Sequence, residues 1–119
     1  MTPLKTLQKL FEVRDQIHFL HLNTTSYSEH KALNEFYETW LDLADKFIET
    51  YQGKYGKIPG TLMFTASTGI NVNDYLIGVM VFLNQDIATI LDPMDSDLDN
   101  IVADMKQIVN HTFYLLTLK

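Results

Sequence analysis

Residues 26–53 read SYSEHKALNEFYETWLDLADKFIETYQG, and this stretch decides the fold. Ser26, with Glu29 three residues on, is a capping box that opens a helix. Leu33, Phe36, Trp40, Leu43 and Phe47 then step by three and four, which lays one apolar stripe along a helix. Gly53 is a natural residue to close it. The pattern predicts a helix over 27–52. Tyr37, Leu41, Ala44 and Ile48 form a second apolar strip beside the first. The apolar surface is thus wider than one bundle seam needs, a width found in well-buried helices and in subunit interfaces.

Working outward, Thr2-Pro3 is a helix start, with Thr as cap and Pro at the first helical position. Leu4, Leu7, Leu10, Phe11, Ile17 and Leu20 follow it at helical spacing, predicting a helix over 3–22. Residues 53–70 hold four of the five glycines, so they read as a long crossover with a short helical turn around 61–66. Leu76, Met80, Leu83, Ile87 and Ile90 place a third helix over 72–91, although Val79, Val81 and Phe82 also suit a buried strand. Asp92-Pro93 breaks it. Ser96 and Asp99 cap a fourth helix over 97–118, built on Leu98, Ile101, Met105, Ile108, Thr112 and Leu115. The expected fold is all-α: an antiparallel four-helix bundle with a long crossover between helices 2 and 3, one domain spanning 1–119.

Composition narrows the function. The 119 residues carry a net charge of −6, which argues against nucleic acid and membrane surfaces as partners, since both call for basic patches. There is no cysteine, which removes disulfides, thiolate metal sites and thiol nucleophiles. The N-terminus lacks the apolar core of a signal peptide, and no apolar run approaches the about 20 residues of a membrane span. A soluble, cytoplasmic protein is the expectation. No Gly-rich phosphate loop, GxSxG or HExxH occurs. Metal chemistry, if any, falls to four His and fifteen Asp plus Glu.

His30, Asn34, Asp45 and Glu49 share a polar arc of helix 2. For each alone a solvated surface residue is the simpler reading. As a set they say more. Asp45 and Glu49 stand at i, i+4, so both carboxylates can approach one hard cation. His30 is about 22 Å away along a straight helix, too far to join them within one subunit. Two antiparallel copies of helix 2, crossing near Tyr37 and Leu41, would bring His30 of one copy to Asp45 and Glu49 of the other. His21 ends helix 1 close to the turn leading to His30, so both imidazoles can reach one place. His18, three residues before His21, lies on the same side. Imidazole with carboxylate suits iron, manganese or zinc.

The stretch from His18 to Glu49 resembles the signature of the Dps family, the small ferritins. His21-Leu22-Asn23 resembles the family's His-Trp-Asn element, with Leu in place of Trp. His30 resembles its second His, and Asp45-Lys46-Phe47-Ile48-Glu49 its Asp-x-x-x-Glu pair at the same distance. Gly60-Thr61-Leu62, Asp97-Leu98 and His111-Thr112-Phe113-Tyr114-Leu115-Leu116 resemble later parts of the family more weakly. The chain is also similar to small uncharacterised proteins of tailed phages.

The resemblance implies a ferritin-like bundle that binds iron, or another divalent metal, between two subunits. His21, His30, Asp45 and Glu49 would be ligands, with His18 and Asn34 behind them. It implies oxidation and storage of iron, and a homo-oligomer: a two-fold dimer through helix 2 at least, a dodecamer at most. Asn34 departs from the pattern, because the family usually has an acidic residue there. The chain is shorter than typical members and lacks the Lys-rich tail with which some hold DNA. Asp92, Asp95, Asp97 and Asp99 do not fit an EF-hand, which needs Gly at its sixth position and Glu at its twelfth. They read first as helix-capping charges on helix 4; by the resemblance they would line a pore that admits cations. The alternative function is a non-catalytic binding protein, phage-encoded, using Thr24, Thr25, Asn34 and Tyr37 as hydrogen-bonding groups for a small ligand or a host protein.

Overall fold

A computed structural model describes residues 1–118; Lys119, the last residue of the expected domain, lies outside them. Among the described residues there are four α-helices and no strand. Helix α1 spans Pro3–Asn23. It opens as its sequence predicts, with the Thr2 hydroxyl accepting a bond from the Lys5 N–H at 3.1 Å. Helix α2 spans Tyr27–Tyr55, capped by Ser26, whose hydroxyl accepts from the Glu29 N–H at 3.2 Å. It passes through Gly53 and ends at Gly56, where φ is +93°. The extra turn is held from outside: Lys54 and Tyr55 both reach Asp95.

Helix α3 is shorter than its spacing predicts. It spans Val72–Val81 and continues as a π-helical turn, Phe82–Asp86, and a 3₁₀ turn, Ile87–Ile90. The cause lies in the apolar pattern. Phe82 and Leu83 are adjacent and both buried, as is Ile87, while Asp86 is exposed. The π turn, closed by the Ile87 N–H on the Phe82 carbonyl, inserts one residue and turns all three apolar side chains inward. The strand alternative for 79–82 is not realised. Helix α4 spans Ser96–Leu116, two residues short of the expected end. Asp95, not Ser96, precedes its first turn, and it makes no side-chain cap bond there because its carboxylate is used elsewhere.

Antiparallel packing follows from contacts at both ends of α2. Leu10 and His21 of α1 meet Trp40 and His30, and Asp95 and His111 flanking and within α4 meet Lys54 and Glu35. Trp40, Phe36, Phe47 and Leu33 from α2 close the core over Leu10, Val13 and Ile17 of α1 and Leu98, Met105 and Val109 of α4. The Trp40 indole N–H donates to the Leu10 carbonyl at 3.0 Å, so the largest core side chain also satisfies its one polar atom.

The crossover contains no helical turn at 61–66. It lies instead against α1, held by two glutamines. Gln8 Oε1 accepts from the Met63 N–H at 2.8 Å. Gln16, buried, donates to the Ser67 carbonyl at 2.8 Å and accepts from its N–H at 2.9 Å. Eight helical residues rise about 12 Å. Four extended residues span about 13 Å. The two clamps therefore match a crossover that runs extended between them.

Candidate functional site

The short link Thr24-Thr25-Ser26 folds the start of α2 back on the end of α1, and this brings His21 and His30 together as the sequence suggests. Their rings stack with centroids 3.7 Å apart and planes 20° from parallel. His21 Nδ1–H donates to the His30 carbonyl at 2.6 Å, and His30 Nδ1–H donates to the His21 carbonyl at 2.8 Å. A carbonyl oxygen only accepts, so Nδ1 carries the proton in both rings. In the neutral imidazoles the lone pair is then on Nε2. The His21 carbonyl lies in the last turn of α1, where helix carbonyls lack internal partners, so His30 also completes that helix end.

His18 and Asn34 lie next to this pair but touch each other only through Tyr37. The exposed His18 ring stacks on Tyr37 at 4.3 Å and stands 6.1 Å from His21. Tyr37 meets His21 edge-on at 5.4 Å, and its hydroxyl donates to Asn34 Oδ1 at 3.0 Å. The four rings form one continuous aromatic patch over the α1–α2 corner.

Asp45 and Glu49 are not part of it. Both are exposed on α2, several turns from His30. Among the described residues no three His, Asp or Glu side chains gather closely enough to hold a metal within one chain. The two carboxylates belong to a longer feature that the polar-arc reading missed. Glu35, Glu38, Asp42, Asp45 and Glu49 are all exposed and follow 3, 4, 3, 4 spacing, an acidic stripe diametrically opposite the core stripe. The same periodicity that located the core would have found it.

The second acidic group divides by role. Asp95 is 3% exposed. Its oxygens accept from Lys54 Nζ at 2.7 Å, from the Tyr55 hydroxyl at 2.6 and 2.8 Å, and from the Asp92 N–H at 2.9 Å. Lys54 also donates to Asp97 at 2.7 Å. Asp92 accepts from the Met94 N–H, and Asp99 sits exposed in the first turn of α4. The Lys54 ammonium and the Tyr55 hydroxyl hold the Asp95 carboxyl down to about 2, and Asp95 pushes the Tyr55 phenol up to about 12. Lys54 is held above the usual lysine range by Asp95 and Asp97, and Asp97 is lowered by Lys54.

These shifts set an expected pH dependence. Asp95 is depressed in the folded state, so its contribution is present above the ordinary value of 3.8 and fades as pH falls towards about 2. Tyr55 is raised, so its contribution is present below 10.0 and fades as pH rises through about 12. Urea midpoints of wild type and Asp95→Asn should differ by a constant amount in the neutral range and converge as pH falls towards about 2. Curves that stay parallel down to pH 2 would rule the clamp out as a source of stability.

Residues 21–116 match DUF5856, a family of unknown function. The chain belongs to the DUF5856 family. The matched region starts at His21 itself and takes in the ring patch from His21 onward, the acidic stripe and the Asp95 clamp. No curated protein and no solved structure matches the chain. No helix among the described residues is long and apolar enough to cross a membrane.

Proposed function

We propose that this DUF5856 chain is a ferritin-like, Dps-related protein that binds a divalent metal, iron first, between two copies in the cytoplasm. His21 and His30 of one copy and Asp45 and Glu49 of the other would be ligands, with His18 and Asn34 behind them. The observation that carries the reading is the pair of Nδ1–H bonds to backbone carbonyls. A metal-binding imidazole commonly donates its other ring N–H to such a partner, which fixes the tautomer and frees Nε2 for the metal. The second support is the acidic stripe. Two α2 helices packed through Tyr37, Leu41 and Ile48 would bring like charges together, and a cation between them would relieve the repulsion. Bound Fe²⁺ would be the substrate, oxidised by oxygen or peroxide and retained, while the chain's residues position it and limit water.

One observation favours the non-catalytic reading. The His21–His30 bonds also close a helix end, work that needs no metal, and the Tyr37–Asn34 pair beside them is a ready hydrogen-bonding surface for a small ligand or a protein. The two readings part in one experiment. Sedimentation and Fe²⁺ titration of the purified chain should show metal-dependent association, together with Fe²⁺ oxidation. Asp45→Asn with Glu49→Gln, both exposed, should weaken binding at least about tenfold with the fold intact. A chain that takes up no Fe²⁺, Mn²⁺ or Zn²⁺, and whose mass is unchanged by them, would remove the metal reading.

A further inference from the structure

Along the crossover, Gln8 and Gln16 bond one edge at Met63 and Ser67, and the other edge is open. In an extended chain, the backbone groups of alternate residues point to opposite edges. Met63 and Ser67 turn their backbone groups to the glutamines of α1. Leu62, Phe64 and Ala66 therefore turn theirs the other way, and among the described residues these have no hydrogen-bond partner. Burial alternates in step: 62, 64 and 66 are half-buried, and 61, 63, 65 and 67 are exposed. Leu62, Met63 and Phe64 do not pack on the main core, and Met63 is 75% exposed.

Edges of this kind are normally guarded by Lys, Pro or a bulge. Residues 61–70, TLMFTASTGI, contain no charge and no proline. An unguarded edge, half apolar and rich in Thr, has the character of a strand that is covered in use.

We infer that residues 62–66 pair with the same segment of a second copy, antiparallel about a two-fold axis at Phe64. The edge is its own complement in that arrangement. Phe64 exchanges both backbone bonds with Phe64 of the second copy, and Leu62 pairs with Ala66 on either side. A neutral segment is also where two chains of net charge −6 approach with least repulsion. This interface is separate from α2 and needs no metal, so it is read in the presence of a chelator.

The register makes a charge test. Met63 of one copy faces Thr65 of the other as a non-hydrogen-bonded pair, where side chains lie closest. Both are exposed, so substitution spares the fold, which circular dichroism verifies. Sedimentation equilibrium in EDTA should show a wild-type dimer. Met63→Lys with Thr65→Lys should weaken it at least about tenfold, although it reduces the overall negative charge. Met63→Lys with Thr65→Glu should restore it. Amide exchange should slow on association at 62, 64 and 66 but not at 65. A wild-type chain that stays monomeric up to about 1 mM, a double-lysine variant that dimerises like wild type, or protection without alternation would each overturn the inference.

Discussion

Trp40→Ala should destabilise the protein by about 3–5 kcal/mol, the usual range for removing a buried Trp. The residue is fully buried and stacks on Phe36 with ring centroids 5.5 Å apart. Its loss opens a void at the point where α1 and α2 meet, and it leaves the Leu10 carbonyl without the indole N–H. A chain of this length is worth roughly 6–18 kcal/mol at about 0.05–0.15 kcal/mol per residue, so the change removes a large share. Trp40→Phe should cost less, since it keeps most of the apolar volume and loses the bond, about 1 kcal/mol by itself. Urea unfolding followed by circular dichroism gives both values. It must be circular dichroism because Trp40 is the one tryptophan and takes the fluorescence signal with it. An alanine variant within about 1 kcal/mol of wild type would mean the core does not close on this side chain.

The second large effect is expected at Gly60. Its φ is +133°, a conformation that side chains other than hydrogen rarely adopt, and a Cβ placed there would stand 2.5 Å from Leu4 Cδ2. Leu4 can rotate away; the backbone cannot. Gly60→Ala should therefore cost about 1–3 kcal/mol. Gly53→Ala is the contrasting case. Gly53 lies inside α2 with nothing within 4 Å of the added carbon, so helix propensity predicts a gain of up to about 1 kcal/mol. Opposite signs in the same unfolding assay would place Gly60 at a tight crossing and Gly53 within a helix. A neutral Gly60→Ala would show that the crossover is not held against α1 as described.

The two glycines also show what the sequence could and could not say. Gly53 and Gly56 are equally good helix stops by local chemistry. The choice between them rests on Lys54 and Tyr55 meeting Asp95, some 40 residues on in the chain. The four helices were legible because caps and apolar spacing are local signals. The break after Val81 was not, because burying the neighbours Phe82 and Leu83 depends on what α3 packs against. Around the site, the nearness of His21 and His30 followed from the short link between their helices. Their reciprocal backbone bonds did not, since ring nitrogens meet carbonyls only once the corner has folded. Gln8 and Gln16 gave no signal at all. A glutamine eight residues from another fits a surface helix equally well, and only the course of the crossover gives the pair its role.

The Trp40–Leu10 bond bears on what the family match leaves out. The family match starts at His21 and leaves most of α1 outside it, yet α1 supplies the carbonyl for Trp40, the apolar floor beneath it and both clamps on the crossover. Sequence kinship and physical autonomy thus have different borders in this chain. The recognised region is the shared part, while the interior it builds is closed by side chains of α1 that lie before it.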